Sequence, residues 1–190
     1  MLRSAALAAL LATGLTTVAS HAAGPLPFDV GGAYQLVDQH GNPRSQIDPD
    51  GRAQLLFFGY ANCPSICTAA LPMMADATDL LAEQGLPVRP VMITVAPEQD
   101  KGAAMVAPMA RLHPDFVGLT GTEAALAQAY NAFAVEHEEA YFDPEFGPIY
   151  THGTFVYLLD GQGNVLTLFP PVLTPERVAE IVAGYIQPKE

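Results

Sequence analysis

Two stretches of the chain are apolar almost without interruption, and they anchor the reading of the rest. Leu55–Tyr60 runs LLFFGY and Val88–Val95 runs VRPVMITV, patterns that predict strands buried on both faces. Before them, Tyr34–Asp38 alternates as a half-buried strand does. Asp38-Gln-His-Gly-Asn-Pro43 is a dense turn signal, and with the residues after Pro43 it predicts an N-terminal hairpin. Helical spacing takes over from Thr68 to Gln84, where Leu71, Met74, Thr78 and Leu81 share one face and Gly85 and Pro87 supply the stop. Lys101–Leu112 and Thr122–Phe133 are Ala-rich helical patterns on either side of a short strand, Phe116–Leu119, with Thr122 as N-cap and Glu123 in the first turn. Glu136–Tyr141 and Gly153–Leu159 then read as strands joined by a loop bearing Pro and Gly. Asp160-Gly-Gln-Gly163 turns into Val165–Phe169, a hairpin partner for the strand before it, and Thr174-Pro175-Glu176 opens a last helix. The order of elements predicts an α/β fold with a mixed sheet, and no internal repeat is visible.

Composition sharpens this picture. The chain has 190 residues, 50% hydrophobic and 15% charged, enough to bury a core and too apolar for disorder. Eight basic residues against twenty acidic ones give a net charge of −12, which speaks against a nucleic-acid partner and for one with a basic patch. At the N-terminus, Arg3 precedes a mostly Ala/Leu stretch from Ala5 to Val18, and Ser20 and Ala22 form a small-x-small site. Residues 1–22 are expected to be an export signal cleaved after Ala22, residues 23–32 a linker, and residues 33–190 one domain in the periplasm. The rival is an uncleaved anchor; about fourteen apolar residues make ~21 Å of helix against a ~30 Å hydrocarbon layer, which favours cleavage. Two cysteines are too few for a disulfide scaffold, and in an oxidising compartment the pair must be protected, reducible or metal-bound.

Those cysteines stand in Cys63-Pro64-Ser65-Ile66-Cys67, between the end of a buried strand and the start of a helix. Helix N-termini stabilise thiolates, and Pro64 suits a first-turn position. If the segment is helical, a spacing of four puts both sulfurs on one face, and it is one residue wider than the spacing of disulfide oxidoreductases. The wider gap suits a metal held between two thiolates; an inert pair of small hydrophobes is the plain alternative. Among the histidines, His21 lies in the leader, His40 in a turn, His113 before a proline and His137 among glutamates on a solvated strand. His152 falls in Tyr150-Thr-His-Gly-Thr154, just before a strong strand. In a thioredoxin-like sheet the loop entering that strand faces the cysteine loop, which makes His152 the best third ligand. Two thiolates and an imidazole suit Cu(I), with Zn(II) as competitor. Met73 and Met74, beside the motif, read as helical core before they read as extra soft ligands.

In combination, FFGYANCPSICT and the later THGTF resemble the Sco/SenC family of thioredoxin-like copper-binding assembly factors. The likeness extends from GGAYQLVDQHGNP to the closing helix. It implies a thioredoxin-like mixed sheet flanked by helices, with an added N-terminal β-hairpin and an insertion. It further implies copper ligands at Cys63, Cys67 and His152, and delivery of copper, Cu(I) or Cu(II), to the copper centre of cytochrome c oxidase or reduction of that centre's cysteines. A copper-receiving oxidase subunit and a thiol reductant are the partners it implies. The sequence departs from the family at Ala96, where relatives carry an acid in D-P-x-x-D; Asp100 remains. The competing expectation is a thiol–disulfide oxidoreductase or peroxidase in which Cys63 attacks and Cys67 resolves. Enzymes of that type place a cis-proline opposite the cysteines, where the resemblance puts His152-Gly153-Thr154 here.

Overall fold

The computed structural model describes residues 26, 27 and 29–187; the expected leader and the start of the linker lie outside the described residues. Seven strands form one mixed sheet: β1 (Gln35–Asp38), β2 (Pro43–Ser45), β3 (Ala53–Gly59), β4 (Val88–Thr94), β5 (Val117–Thr120), β8 (Val156–Leu159) and β9 (Val165–Phe169), in the order β2-β1-β5-β4-β3-β8-β9. The chain's remaining strands, β6 (His137–Asp143) and β7 (Gly147–His152), make a separate two-stranded hairpin. Its helices are α1 (Cys67–Glu83), α2 (Val106–Leu112), α3 (Glu123–Ala132) and α4 (Pro175–Ile186).

The apolar runs sit where continuous hydrophobicity puts them. β3 lies between β4, to which it is parallel, and β8, to which it is antiparallel, and every residue of β4 is buried. Alternate residues of β3 serve opposite faces. Phe58 meets the rings of Tyr130 and Phe133 at α3, whereas Gly59 faces the Cys67 sulfur at the head of α1, which packs on α4. Helices therefore cover both sides of the sheet, and one buried cluster runs through it. Arg89 in β4 is buried only because it pairs with Asp48 and Asp50 at the end of the sheet away from the cysteines.

Strand directions decide where a site can form. The C-terminal ends of the parallel strands β3, β4 and β5 share one edge with the N-terminal end of antiparallel β8. The cysteine loop leaves β3 at that edge, and the segment after His152 enters β8 there. Loops at the carboxyl ends of parallel strands are where α/β proteins build sites.

Three sequence expectations need correction. The helix expected over Lys101–Leu112 is a 3-10 turn, Gly102–Met105, followed by α2. In one continuous α-helix the ring of Pro108 would clash with the carbonyl four residues back; the break puts Pro108 in the first turn, where a missing N–H costs nothing. The loop expected before Gly153 contains β7, and β8 begins only at Val156, so His152 closes a strand rather than lying in a loop. The strand is hard to read because β7 opens on Gly147-Pro148, a turn signal, and only Ile149 of its six residues is buried.

The N-terminal hairpin forms as expected, and β1 also pairs with β5, joining it to the main sheet. Asp38 organises its turn by accepting hydrogen bonds from the backbone N–H of His40 and of Asn42, each at 2.9 Å, while Gly41 takes φ +84°. Burial pushes the Asp38 carboxyl up, but the bonds from Asn42 and His40 outweigh it and hold the group below its ordinary value. A carboxylate with a depressed value stabilises the fold above its unfolded-state pKa and loses that contribution as pH falls through the folded value. Asp38→Ala is expected to lower the unfolding free energy by about 2 kcal/mol at neutral pH. Denaturant melts of both proteins should show the gap closing as the pH drops below the carboxylate range.

Candidate metal centre

Cys63 and Cys67 reach the site by different routes. β3 ends at Gly59, and the chain turns so that the Cys63 N–H donates to the Tyr60 carbonyl at 3.3 Å. Pro64, Ser65 and Ile66 then build the approach to α1. Thr68 N–H donates to Ser65 O, and the N–H groups of Ala69 and Ala70 donate to Ile66 O, each at 3.0 Å. Only Cys67 is helical, with Ile66 as N-cap. The two cysteines therefore do not share a helical face, and Pro64 precedes the helix instead of occupying its first turn. They still converge, because the turn folds Cys63 over the N-terminus of α1.

Gly59 makes room for this. A Cβ added there would lie 3.0 Å from Cys67 Sγ and 2.7 Å from Phe57 Cε1, so a larger residue would displace the sulfur. On the other side of the loop stands Asp100, 1% exposed. Its carboxylate accepts from Thr94 Oγ1 at 2.8 Å and from the Ala61 N–H at 3.1 Å, which ties the root of the cysteine loop to the β4 end. Burial raises the Asp100 pKa above the carboxylate norm. Ala96 is fully buried and its N–H donates to Thr94 Oγ1 at 2.9 Å, so the family's usual acid at this position would have to be buried as well.

His152 completes the group. The ligand atoms of Cys63, Cys67 and His152 all lie within 4.8 Å of one another. His152 Nε2 is 3.8 Å from Cys67 Sγ, and Nδ1–H donates to the Gly153 carbonyl at 2.9 Å. That bond fixes the tautomer and leaves the Nε2 lone pair directed at the sulfurs. The rings of Phe57 and Tyr60 stand edge-on to the imidazole at 5.7 and 6.2 Å between centroids and limit its swing. Donors bound to one ion at about 2.0–2.3 Å each lie no more than ~4.6 Å apart, so a shift of a few tenths of an ångström seats a metal here.

Among the described residues, the other histidines do not join the group. His40 is exposed in the β1–β2 turn. His113 caps the end of α2, accepting the Asp115 N–H and pairing with Asp79 at 3.2 Å. His21 lies outside the described residues. Met73 and Met74 are buried in the core cluster. Tyr60 is the participant that sequence reasoning missed. It is buried, and its hydroxyl, aimed at Cys63, accepts weakly from the Tyr150 N–H at 3.4 Å. Burial, reinforced by the neighbouring sulfurs, keeps this phenol protonated and therefore a donor to Cys63. Its place in FFGY was visible; its direction was not.

The two thiols are electrically unequal. A hydrogen bond from Cys67 pulls the Cys63 pKa far below the ordinary thiol range, against the opposing effect of burial, with help from the N–H groups of Ser65 and Cys67. The same bond, then burial and the Cys63 charge, pushes Cys67 strongly upward. One proton is held between two sulfurs. In reduced protein, thiolate absorbance should rise in one step below neutrality and in a second only at strongly alkaline pH. Cys63→Ser should abolish the first step and Cys67→Ala should move it upward. In Gly59→Ala the displaced sulfur should also shift that step, with a stability loss of about 1–3 kcal/mol by thermal melting.

Comparison with known proteins agrees with this geometry. The family profile described as SCO1/SenC matches residues 22–187. A SCO2-like protein of Rickettsia felis is 30% identical over 157 residues, covering 82% of this chain and 76% of that one. The structure of Bradyrhizobium japonicum ScoI with copper bound superposes with a TM-score of 0.72 at 27% identity, over 83% of this chain and 99% of that one. BsSco, described as a member of the Sco family of cytochrome c oxidase assembly proteins and studied for a disulfide switch, superposes at 0.64 with 23% identity, over 87% and 97%. The sheet flanked by helices is the thioredoxin-like fold of these Sco structures. With a profile match across most of its length, the chain belongs to the SCO1/SenC family.

Proposed function

We propose that this protein is an exported copper carrier that binds one ion through Cys63, Cys67 and His152 and passes it to a copper centre of cytochrome c oxidase during assembly. The observation that carries the reading is the convergence of two sulfurs and one correctly oriented imidazole nitrogen within 4.8 Å at one edge of the sheet. Two soft thiolates with one imidazole favour Cu(I) over harder ions. Three donors leave a coordination position through which a recipient's ligand enters before the carrier's ligands let go. The copper-bound Bradyrhizobium relative supports the choice of metal, and the family's description supports the recipient. Residues 1–22 read as a leader, which fits an exported one-domain carrier.

The thiol asymmetry sets the proton balance of loading. Cys63 is already ionised at neutral pH, so binding Cu(I) displaces one proton, from Cys67. A second reading draws on the same asymmetry: a low-pKa thiol beside a protonated one is the arrangement for attack and resolution in disulfide exchange. There, Cys63 would form a mixed disulfide with an oxidised partner, and Cys67 would release it, the pair giving up two electrons and the one proton that Cys67 carries. A thiol reductant would then have to restore the pair before copper is loaded.

Anaerobic Cu(I) titration of reduced protein against a competing chelator is expected to show one tight site. Its affinity should rise about tenfold per pH unit through neutrality as the Cys67 proton becomes easier to displace. His152→Ala should lose about 10–100-fold in affinity while both cysteines stay oxidisable; unchanged affinity removes His152 from the centre. Rapid catalytic reduction of insulin by metal-free protein would instead promote the disulfide-exchange reading.

A further inference from the structure

The imidazole side of the centre holds a histidine that the carrier reading does not use. His137 opens β6 directly opposite His152, which closes β7. Directly opposed residues of an antiparallel pair send their side chains to the same face, with Cβ atoms about 4.5–5.5 Å apart. Both imidazoles accordingly line one cleft of about 540 Å³, with Glu136, Glu138 and Thr154 beside them. The His137 ring rests on Tyr130, centroids 4.3 Å apart, and Tyr130 is pinned by its hydroxyl donating to the Thr94 carbonyl at 2.7 Å. Among the described residues, the histidine ring nitrogens engaged in hydrogen bonds are those of His113 and His152, so those of His137 face the cleft and solvent.

The two approaches to the sulfurs differ in charge. On the cysteine side lies a pocket of about 200 Å³ walled by Leu71, Pro72, Pro108 and Arg111, whose guanidinium repels a cation. The cleft side carries Glu136 and Glu138, which attract one. We infer that His137 is an outer copper ligand, which meets Cu(I) in the cleft, passes it across the strand pair to His152 and the thiolates, and takes it back on delivery. This rests on the carrier reading above. Each step exchanges one donor for another: a nitrogen–copper bond forms at His137 as a bond to an inner donor breaks, and the ion keeps its charge and oxidation state. A ring held beside the path lowers the barrier because the ion is never left without a soft partner.

The test separates rate from affinity. Reduced copper-loaded wild type, His137→Ala and His137→Phe are mixed anaerobically with bicinchoninate in a stopped-flow instrument. The Phe variant keeps a ring on Tyr130 and removes the nitrogens. Equilibrium affinity is expected to stay within about twofold of wild type while copper transfer slows about tenfold in both variants, a barrier change of about 1.4 kcal/mol. Wild-type rates in both variants overturn the inference, and so does slowing in the Ala variant alone, which assigns the effect to packing. An affinity loss equal to that of His152→Ala also overturns it, since His137 would then be an inner ligand. Wild-type protein that takes up no copper refutes the carrier reading itself and this inference with it.

Discussion

The proton that Cys67 keeps is the interaction on which the centre depends. Two sulfurs this close, in a site with little water, cannot both be ionised without a cation between them. The chain settles the matter with one proton kept on Cys67, while Tyr60 and the N–H groups of Ser65 and Cys67 support the Cys63 side. In the proposed copper loading, a soft cation would take the place of that proton in a single exchange.

Everything else holds that pair in register with the imidazole. The parallel run of β3 and β4 supplies a stiff, mostly apolar floor, and the antiparallel insertion of β8 returns the chain to the same edge from the opposite direction. Asp100 clamps the root of the cysteine loop and the Gly153 carbonyl fixes the imidazole. The ligand set is therefore shared between the sheet's own edge and the small hairpin beside it.

Much of this was legible in the sequence, because burial writes itself into composition. LLFFGY announced the central strand, Thr122 and Thr174 announced helix starts that the structure bears out, and Gly85 at φ +74° closes α1 where expected. The pairing of C-P-S-I-C with T-H-G-T was also readable, since it is a matter of residue type and order. What was not legible depends on contacts across space. β7 went unseen because it opens on Gly147-Pro148, a turn signal, and buries only Ile149, and with it went the opposition of His137 and His152. Whether the cysteine segment is helical was left open by the sequence, because a spacing of four is equally compatible with a turn; Pro64, suited to a first helical turn, lies before α1 instead. Tyr60 and Asp100 took their roles from neighbours 90 and 39 residues away in the chain, which no local pattern records.

Gly59 has one further consequence. With Phe57 and the Cys67 sulfur crowding the space a side chain would need, the floor of the centre admits only hydrogen at that point. Metal preference cannot be retuned from the sheet without moving a donor atom. The exposed cleft positions Glu136 and Glu138 carry no such packing constraint and are free to vary. Divergence within the SCO1/SenC family at this site, or its redesign, has a single adjustable side.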